Sequence, residues 1–252
     1  MMKRASIIAL LLFLVCGMPP QQKAVSIMQE AIKDESVIIR VSAAKGYTQM
    51  GDPQGMQVLY EVLRSDDKNG IAAALAALYD LADKTYSPVI ADLTEHDDPL
   101  IRSEAYKVMS LAEDKQAHVI LIGGTMSRIA KIRRYSFRGL EKFKDEKTLL
   151  KGLSDIDPIV RIVAAQALGR IGKGDMDNFI RKEMQVQNID IWKECIVAFA
   201  EIGDTSVIPF IKDSLVSEAD LPVEIRLAAA EALLTFKDPQ GVDMLEQGLN
   251  SG

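Results

Sequence analysis

One stretch decides the fold: DPIVRIVAAQALGRIG, residues 157–172. Asp157 can accept the free N–H groups of a helix start, and the proline after it already has a helical φ. Arg161 comes next, and small residues follow at Ala164 and Ala165. Small side chains at that slot let neighbouring helices approach to about 8–10 Å. The stretch therefore predicts a helix that packs against copies of itself.

The same pattern returns along the chain from about residue 34. Its anchor positions lie 28 to 34 residues apart, at Arg40, Ile71, Arg102, Arg133, Arg161, Trp192 and Arg226. Near-equal intervals of this size are typical of stacked helical repeats, in which each unit buries its apolar face against the next one. Each repeat is predicted to consist of two helices joined by a turn that carries an aspartate.

Composition agrees with an all-α protein, because aromatic residues are only 6% of the chain and helix-favouring residues dominate. The predicted fold is a right-handed α-solenoid of about seven hairpins over residues 34–252, with the second helices on its concave face. Residues 18–33 are predicted to form a capping helix at its N-terminal end. No strand-loop-helix phosphate motif is expected.

The first 17 residues predict an export signal. Lys3 and Arg4 precede an apolar run that is too short to span a bilayer and ends near Cys16 and Gly17. Two cleavage sites stay open. Cys16 could become the lipidated first residue of a bacterial lipoprotein, although Val15 departs from the usual small residue of that motif, or a signal peptidase could cut after Gly17. Either route predicts the periplasm or cell envelope, with membrane attachment only in the first.

The residues that could support catalysis or bind metal are few. Only two histidines exist, His96 and His118; they fall in different repeats, and neither has zinc-ligand spacing. Cys195 occupies the small-residue slot of its repeat, which predicts an inert buried thiol. No catalytic residue, metal or cofactor is therefore expected.

The succession of Val-Arg, Ala-Ala, Leu-Gly and Gly-Asp pairs resembles HEAT repeats, in particular the short HEAT-like subtype first associated with phycobilin lyases. The resemblance covers roughly residues 21–250. It implies a helical solenoid, but it leaves function open, because such families include protein-binding scaffolds, bilin lyases and DNA-base glycosylases.

Charge is segregated along the sequence. Residues 126–151 hold nine basic and three acidic residues, a net charge of +6, while the whole chain carries −6 and the remainder therefore −12. A basic band of this kind could attract an acidic partner, or it could be a set of solvated helix faces. The partner-binding candidates are Arg128, Lys131, Arg134, Arg138, Lys142, Lys147, Lys151 and Trp192. Trp192 could instead be a packing substitute for the anchor arginine.

These observations predict a non-enzymatic adaptor of the cell envelope that binds a protein partner on its concave face, an acidic partner if the basic band takes part. A bilin-lyase-like enzyme, or a chaperone for a chromoprotein, is the alternative; the predicted export argues against it. A DNA-base glycosylase is a second alternative, and the acidic total disfavours it because DNA binding requires clustered cations.

Overall fold

A computed structural model describes residues 20–84, 87–174, 176–185, 188–212 and 223–250 of the protein. Within those residues every regular element is helical. The chain divides into two compact units, Met1–Ala112 and Glu113–Gly252, called unit 1 and unit 2 below. The predicted signal and Cys16 lie outside the described residues.

Unit 1 contains six helices within its described residues. Their bounds are α1 Pro20–Ala31, α2 Val37–Gln49, α3 Pro53–Leu63, α4 Lys68–Asp80, α5 Pro88–Leu93 and α6 Pro99–Met109. Met28 and Ala31 of α1 pack against a small core formed by Ile32, Ala43 and Tyr47. This end of unit 1 is thereby covered by a helix that precedes the first repeat.

Unit 2 contains nine described α-helices. Their bounds are α7 Lys115–Gly124, α8 Ala130–Leu140, α9 Glu146–Gly152, α10 Pro158–Arg170, α11 Met176–Glu183, α12 Ile189–Ile202, α13 Ile208–Ile211, α14 Val223–Thr235 and α15 Gln240–Asn250, with short 3₁₀ turns at Glu141–Phe143 and Thr205–Val207. After α1 the described helices alternate in chain order as first and second helices of the repeat. The all-α helical-repeat fold predicted from the sequence is confirmed.

Aspartates begin many of the helices, as the sequence indicates. Asp157 is representative, because its Oδ1 accepts hydrogen bonds from the N–H groups of Ile159 at 2.9 Å and Val160 at 3.2 Å. Asp52 and Asp98 bind their helix starts in the same way and are also followed by proline. These side chains satisfy N–H groups that have no partner within a helix, which fixes where each first or second helix starts.

The turn after the first helix contains a residue in the left-handed region in the repeats that begin with α2, α4, α8, α10, α12 and α14. Gly203 takes that conformation after α12, at φ +86°, without the steric cost that a side chain brings. Lys144 takes it after the 3₁₀ turn that follows α8, at φ +51°. A shared backbone geometry thus closes hairpins of different sequence.

The small-residue slot is buried wherever it is described. Ala44, Ala105, Ala164, Ala165 and Ala229 have no exposed surface, and neither does Cys195 in the same slot of α12. In unit 2 the first helices α8, α10, α12 and α14 pack consecutively through this slot. The row of first helices therefore holds unit 2 together.

The first helices also line the inner side of the curve within unit 2, and the prediction that the second helices do so is wrong. Arg138 of α8 donates a hydrogen bond at 2.9 Å to Glu194 of α12, past the intervening α10. Packed helices lie about 8–10 Å apart, so two side chains can bridge alternate helices only where the row bends toward them. We call this side the inner face.

Candidate functional site

The inner face of unit 2 carries a connected set of charged and polar side chains. Its members come from three consecutive first helices and the turn after α8: Arg138, Glu141, Gln166, Arg170, Glu194 and Glu201. Arg170 binds two carboxylates, with Nε 2.9 Å from Glu141 Oε1 and Nη1 2.8 Å from Glu201 Oε2. Gln166 donates to the same oxygen of Glu201. Arginine suits this role because its planar fork carries several donors.

Glu141 is the member whose protonation the surroundings change. Burial raises the pKa of its carboxyl above the ordinary value, the positive charge of Arg170 lowers that pKa in part, and the negative charge of Glu201 raises it again. A carboxyl with a raised pKa can hold a proton nearer to neutral pH, which suits proton donation and return. Arg138 and Arg170 provide fixed positive charge around it.

Of this set the sequence indicated only Arg138. The others were missed because their partners stand 29 to 56 residues away, for example Arg170 with Glu141 and Arg138 with Glu194. One signal was available: Arg170 and Glu201 are opposite charges at the same position of successive repeats. Register within the repeat therefore predicts some of the pairs, whereas the span from α8 to α12 depends on curvature.

The anchor arginines are structural. Arg133 and Arg161 each donate through Nη1 to carbonyl oxygens five and six residues earlier in the chain, at 2.9–3.4 Å. Arg133 also makes two 2.7 Å bonds to Asp155, and Arg161 makes two 2.6 Å bonds to Glu183. A ladder of arginine–carboxylate pairs is therefore present in these two repeats. In each bidentate pair the edge of the guanidinium that would receive a ligand carboxylate is already occupied.

The structure separates the other basic candidates. Arg128 is exposed in the turn before α8, Lys131 and Arg134 line a cleft between α8 and α10, and Arg138 is paired on the inner face. The remaining three are exposed: Lys142 lies in the 3₁₀ turn, and Lys147 and Lys151 lie on α9. The basic band is thus spread over several elements, and partner binding by its members stays a prediction.

Trp192 also binds a backbone carbonyl that precedes its helix, eight residues before it rather than five or six. Its indole Nε1 donates to the carbonyl of Met184 at 2.9 Å, and its ring packs against the core of unit 2. An indole can supply one N–H and a large apolar surface, which is what this position requires. The geometry favours the packing role over stacking on a ligand.

Both histidines have polar partners within the protein, and the cysteine is buried. His118 Nε2 lies 3.1 Å from Asp145 Oδ2 and its ring stacks on Phe143, while His96 Nδ1 accepts from the Asp98 N–H. Burial raises the pKa of the Cys195 thiol to about 12, which makes the reactive thiolate scarce. Among the described residues no group of acids, histidines and cysteines has the geometry of a metal site.

No helix in the described part of the chain is long and apolar enough to cross a membrane.

A solved structure shares this fold. The complex of CpcE and CpcF of phycocyanin lyase from Nostoc sp. PCC7120 contains a chain that superposes with a TM-score of 0.64 over 91% of this chain and 95% of its own, at 13% sequence identity. Two engineered proteins match at TM-scores of 0.44 and 0.43, with 17% and 18% identity, over 86% and 88% of this chain and 97% and 72% of theirs. Those scores are too low to support an argument. No protein-family model and no curated protein sequence matches the chain.

The lyase likeness corrects one expectation. The sequence predicts that the chain is not an enzyme, on the ground that helical repeats with few catalytic residues are typical of scaffolds. The finding overturns that prediction as a conclusion from the fold, because a solved chain that shares this fold over nearly the whole chain belongs to a lyase complex. At 13% identity the likeness establishes the fold alone, so the activity is a matter for proposal.

Proposed function

We propose that this protein is a subunit of a lyase-type complex, or a chaperone of the same kind, that handles a bilin and the protein that carries it. The observation that supports the proposal most is the fold shared with a chain of the phycocyanin lyase complex, at a TM-score of 0.64. That lyase is a complex of two proteins, CpcE and CpcF. We infer that this chain also works with protein partners.

The inner face offers groups suited to such a substrate. Bilins are flat pigments with carboxylate side chains, and Arg138 and Arg170 could each exchange a glutamate for a ligand carboxylate. A lyase adds a group across a double bond or eliminates it, and either direction requires a proton to be delivered or removed. We assign this proton transfer to Glu141, because burial raises the pKa of its carboxyl.

Visible absorbance tests the proposal. The chain is incubated with a bilin and the apoprotein of phycocyanin, and the mixture is separated by gel filtration before and after denaturation. Colour that stays on the apoprotein after denaturation indicates attachment, and colour that stays only under native conditions indicates a chaperone. If the bilin keeps its free spectrum in every fraction whether or not the chain is present, the chain is not a chaperone and does not attach the bilin by itself.

Glu141→Gln separates acid catalysis from binding. The variant is expected to bind the bilin at least as tightly, since it removes a carboxylate that competes for Arg170, but to attach it at least about tenfold more slowly, since it lacks the acidic proton. Lys147→Gln, an exposed residue on α9, serves as the matched control and should leave both quantities unchanged. Equal attachment rates in Glu141→Gln and the control would remove Glu141 from the proposed step.

Export stays a separate proposal, which depends on residues 1–17 alone. The predicted export counted against a lyase-type function, whereas the shared fold now favours that function. Fractionation of cells that express the Cys16→Ser variant tests the lipid anchor. Loss of the protein from the membrane fraction would support lipidation of Cys16, and an unchanged distribution would contradict it.

A further inference from the structure

A small cleft between α8 and α10 differs from the inner face in having an arginine without an ionic partner among the described residues. The cleft has a volume of about 210 Å³ and is lined by Ala130, Lys131, Arg134, Asp157, Ile159 and Val160. Small-molecule sites usually measure roughly 300–1,000 Å³. This cleft is therefore of a size for one side chain of a partner rather than for a whole pigment.

Arg134 is partly buried, and within the described part of the chain it forms no ion pair. Its Nε is buried without a hydrogen-bond partner, and its guanidinium lies 5.8 Å from the ring of Tyr135. Arg133, next to it in sequence, has a carboxylate on two of its nitrogens. Partly burying a guanidinium that has no ionic partner costs free energy, and an anion bound to the Nη atoms of Arg134 would offset part of that cost.

The lining selects among anions. Asp157 contributes a carboxylate to the wall, and its negative charge disfavours phosphate dianions and densely charged polymers. Ile159 and Val160 make the rest of that wall apolar. A singly charged carboxylate on an aliphatic stem, as in a glutamate side chain, fits both features: its oxygens match the guanidinium fork and its stem contacts the apolar wall.

Apolar side chains stand beside the cleft in the chain. Met126 is 79% exposed in the turn that leads into α8, and Ile156 is 90% exposed in the turn that leads into α10. Exposed apolar residues close to a recognition arginine are typical of protein-binding surfaces, in which the arginine provides specificity and the apolar contacts provide affinity.

We propose that this cleft is a docking site for a partner protein, which inserts the carboxylate of a glutamate flanked by apolar residues. Arg134 binds that carboxylate, and Met126 and Ile156 cover the flanking residues. The site is separate from the inner face, so it would serve a lyase subunit and a chaperone equally. Its failure would leave the absorbance test of the proposed function unaffected.

Peptide binding tests the proposal on the full chain. The probes are fluorescent hexapeptides that carry one glutamate between apolar residues, together with a twin panel that carries glutamine. We expect glutamate peptides to bind more tightly than their twins, and Arg134→Gln to weaken them about tenfold, the effect of losing one charged hydrogen bond. Ile156→Ser should weaken binding severalfold, and Lys147→Gln should leave it unchanged. Equal binding of the two panels, or no effect of Arg134→Gln, would overturn the proposal.

A vesicle-binding measurement and a second variant of Arg134 distinguish the possible outcomes. Vesicles of phosphatidylglycerol present anionic headgroups without apolar side chains; if they bind in an Arg134-dependent way and the peptides do not, the surface recognises membranes and the proposal is wrong. Arg134→Lys keeps the charge but loses the fork, so it should bind glutamate peptides better than Arg134→Gln. Thermal melts of all variants identify any loss of fold, in which case Arg134→Lys carries the test.

Discussion

Units 1 and 2 use the same anchor arginine with different partners. Among the described residues of unit 1, Arg40 and Arg102 bind only backbone carbonyls, those of the fifth and sixth residues before them. In unit 2, Arg133 and Arg161 bind the equivalent carbonyls and also a carboxylate 22 residues later. At that distance after Arg40 and Arg102 stand Val62 and Gly124, which cannot pair with a cation. The shared function of the arginine is therefore to satisfy carbonyls at the end of the preceding helix, and the ion pair is an addition.

The largest expected effect comes from removing an arginine that has both kinds of partner. Arg161→Met should lower the free energy of unfolding by about 3 kcal/mol, because it leaves Glu183, whose side chain is only 12% exposed, charged and unpaired. Arg102→Met should cost about 1 kcal/mol, the loss of its carbonyl bonds. Urea unfolding measures both. Equal losses would show that the carboxylate adds nothing, and Glu183→Gln combined with Arg161→Met should recover part of the larger loss.

The packing slot should not distinguish the two units. Ala44 in unit 1 and Ala165 in unit 2 occupy equivalent positions and are both fully buried. Leucine at either position overpacks the row of first helices, and each substitution should cost about 2 kcal/mol. Urea unfolding of Ala44→Leu and Ala165→Leu checks this value. A change below about 0.5 kcal/mol, the range of surface substitutions, in either variant would contradict the register proposed for that unit.

Acid should affect the carboxylate-paired repeats first. Burial raises the pKa of Asp155, but hydrogen bonds from Arg133 and from the Asp157 N–H outweigh it, so the pKa lies below the ordinary value. The folded state therefore favours the ionised form, and the stabilisation is complete above about pH 4, the ordinary value of Asp. It is lost as the pH falls through the lowered pKa.

The Asp155→Asn variant tests this pH dependence. It should be less stable than the wild type at neutral pH and should show a flatter decline in acid, as measured by urea midpoints at a series of pH values. An acid limb identical to that of the wild type would assign the pH dependence to other carboxylates.

The smallest effect is expected on exposed pairs. Lys45 and Asp80 of unit 1 lie 2.6 Å apart, but their side chains are 32% and 53% exposed. Solvent and salt screen such a pair, so Lys45→Met should change the free energy of unfolding by less than about 0.5 kcal/mol. Arg138→Met in unit 2 should cost more, because Glu194 is only 17% exposed. A larger loss in Lys45→Met than in Arg138→Met would reverse the contrast between the units.

Sequence alone predicts the part of the candidate site that depends on register. It identified Arg138 and Arg134 as basic residues of one band, yet it could not separate them, because both stand on α8 in a run of cations. The structure gives Arg138 a glutamate on α12 and leaves Arg134 beside a cleft. Which cation keeps a free donor depends on side chains that approach from other helices, and no local pattern records them.

The sequence by itself determined the helices, their aspartate caps, the repeat period and the buried small-residue slot. Those features follow from contacts within one hairpin or between neighbouring ones, where a periodic pattern is visible. Only the tertiary structure decided which helices line the inner face, how Glu141 comes to share Arg170 with Glu201, and why Arg134 has no ionic partner among the described residues. These depend on the curvature within unit 2, which sums small packing differences over several repeats and so has no signature in any single repeat.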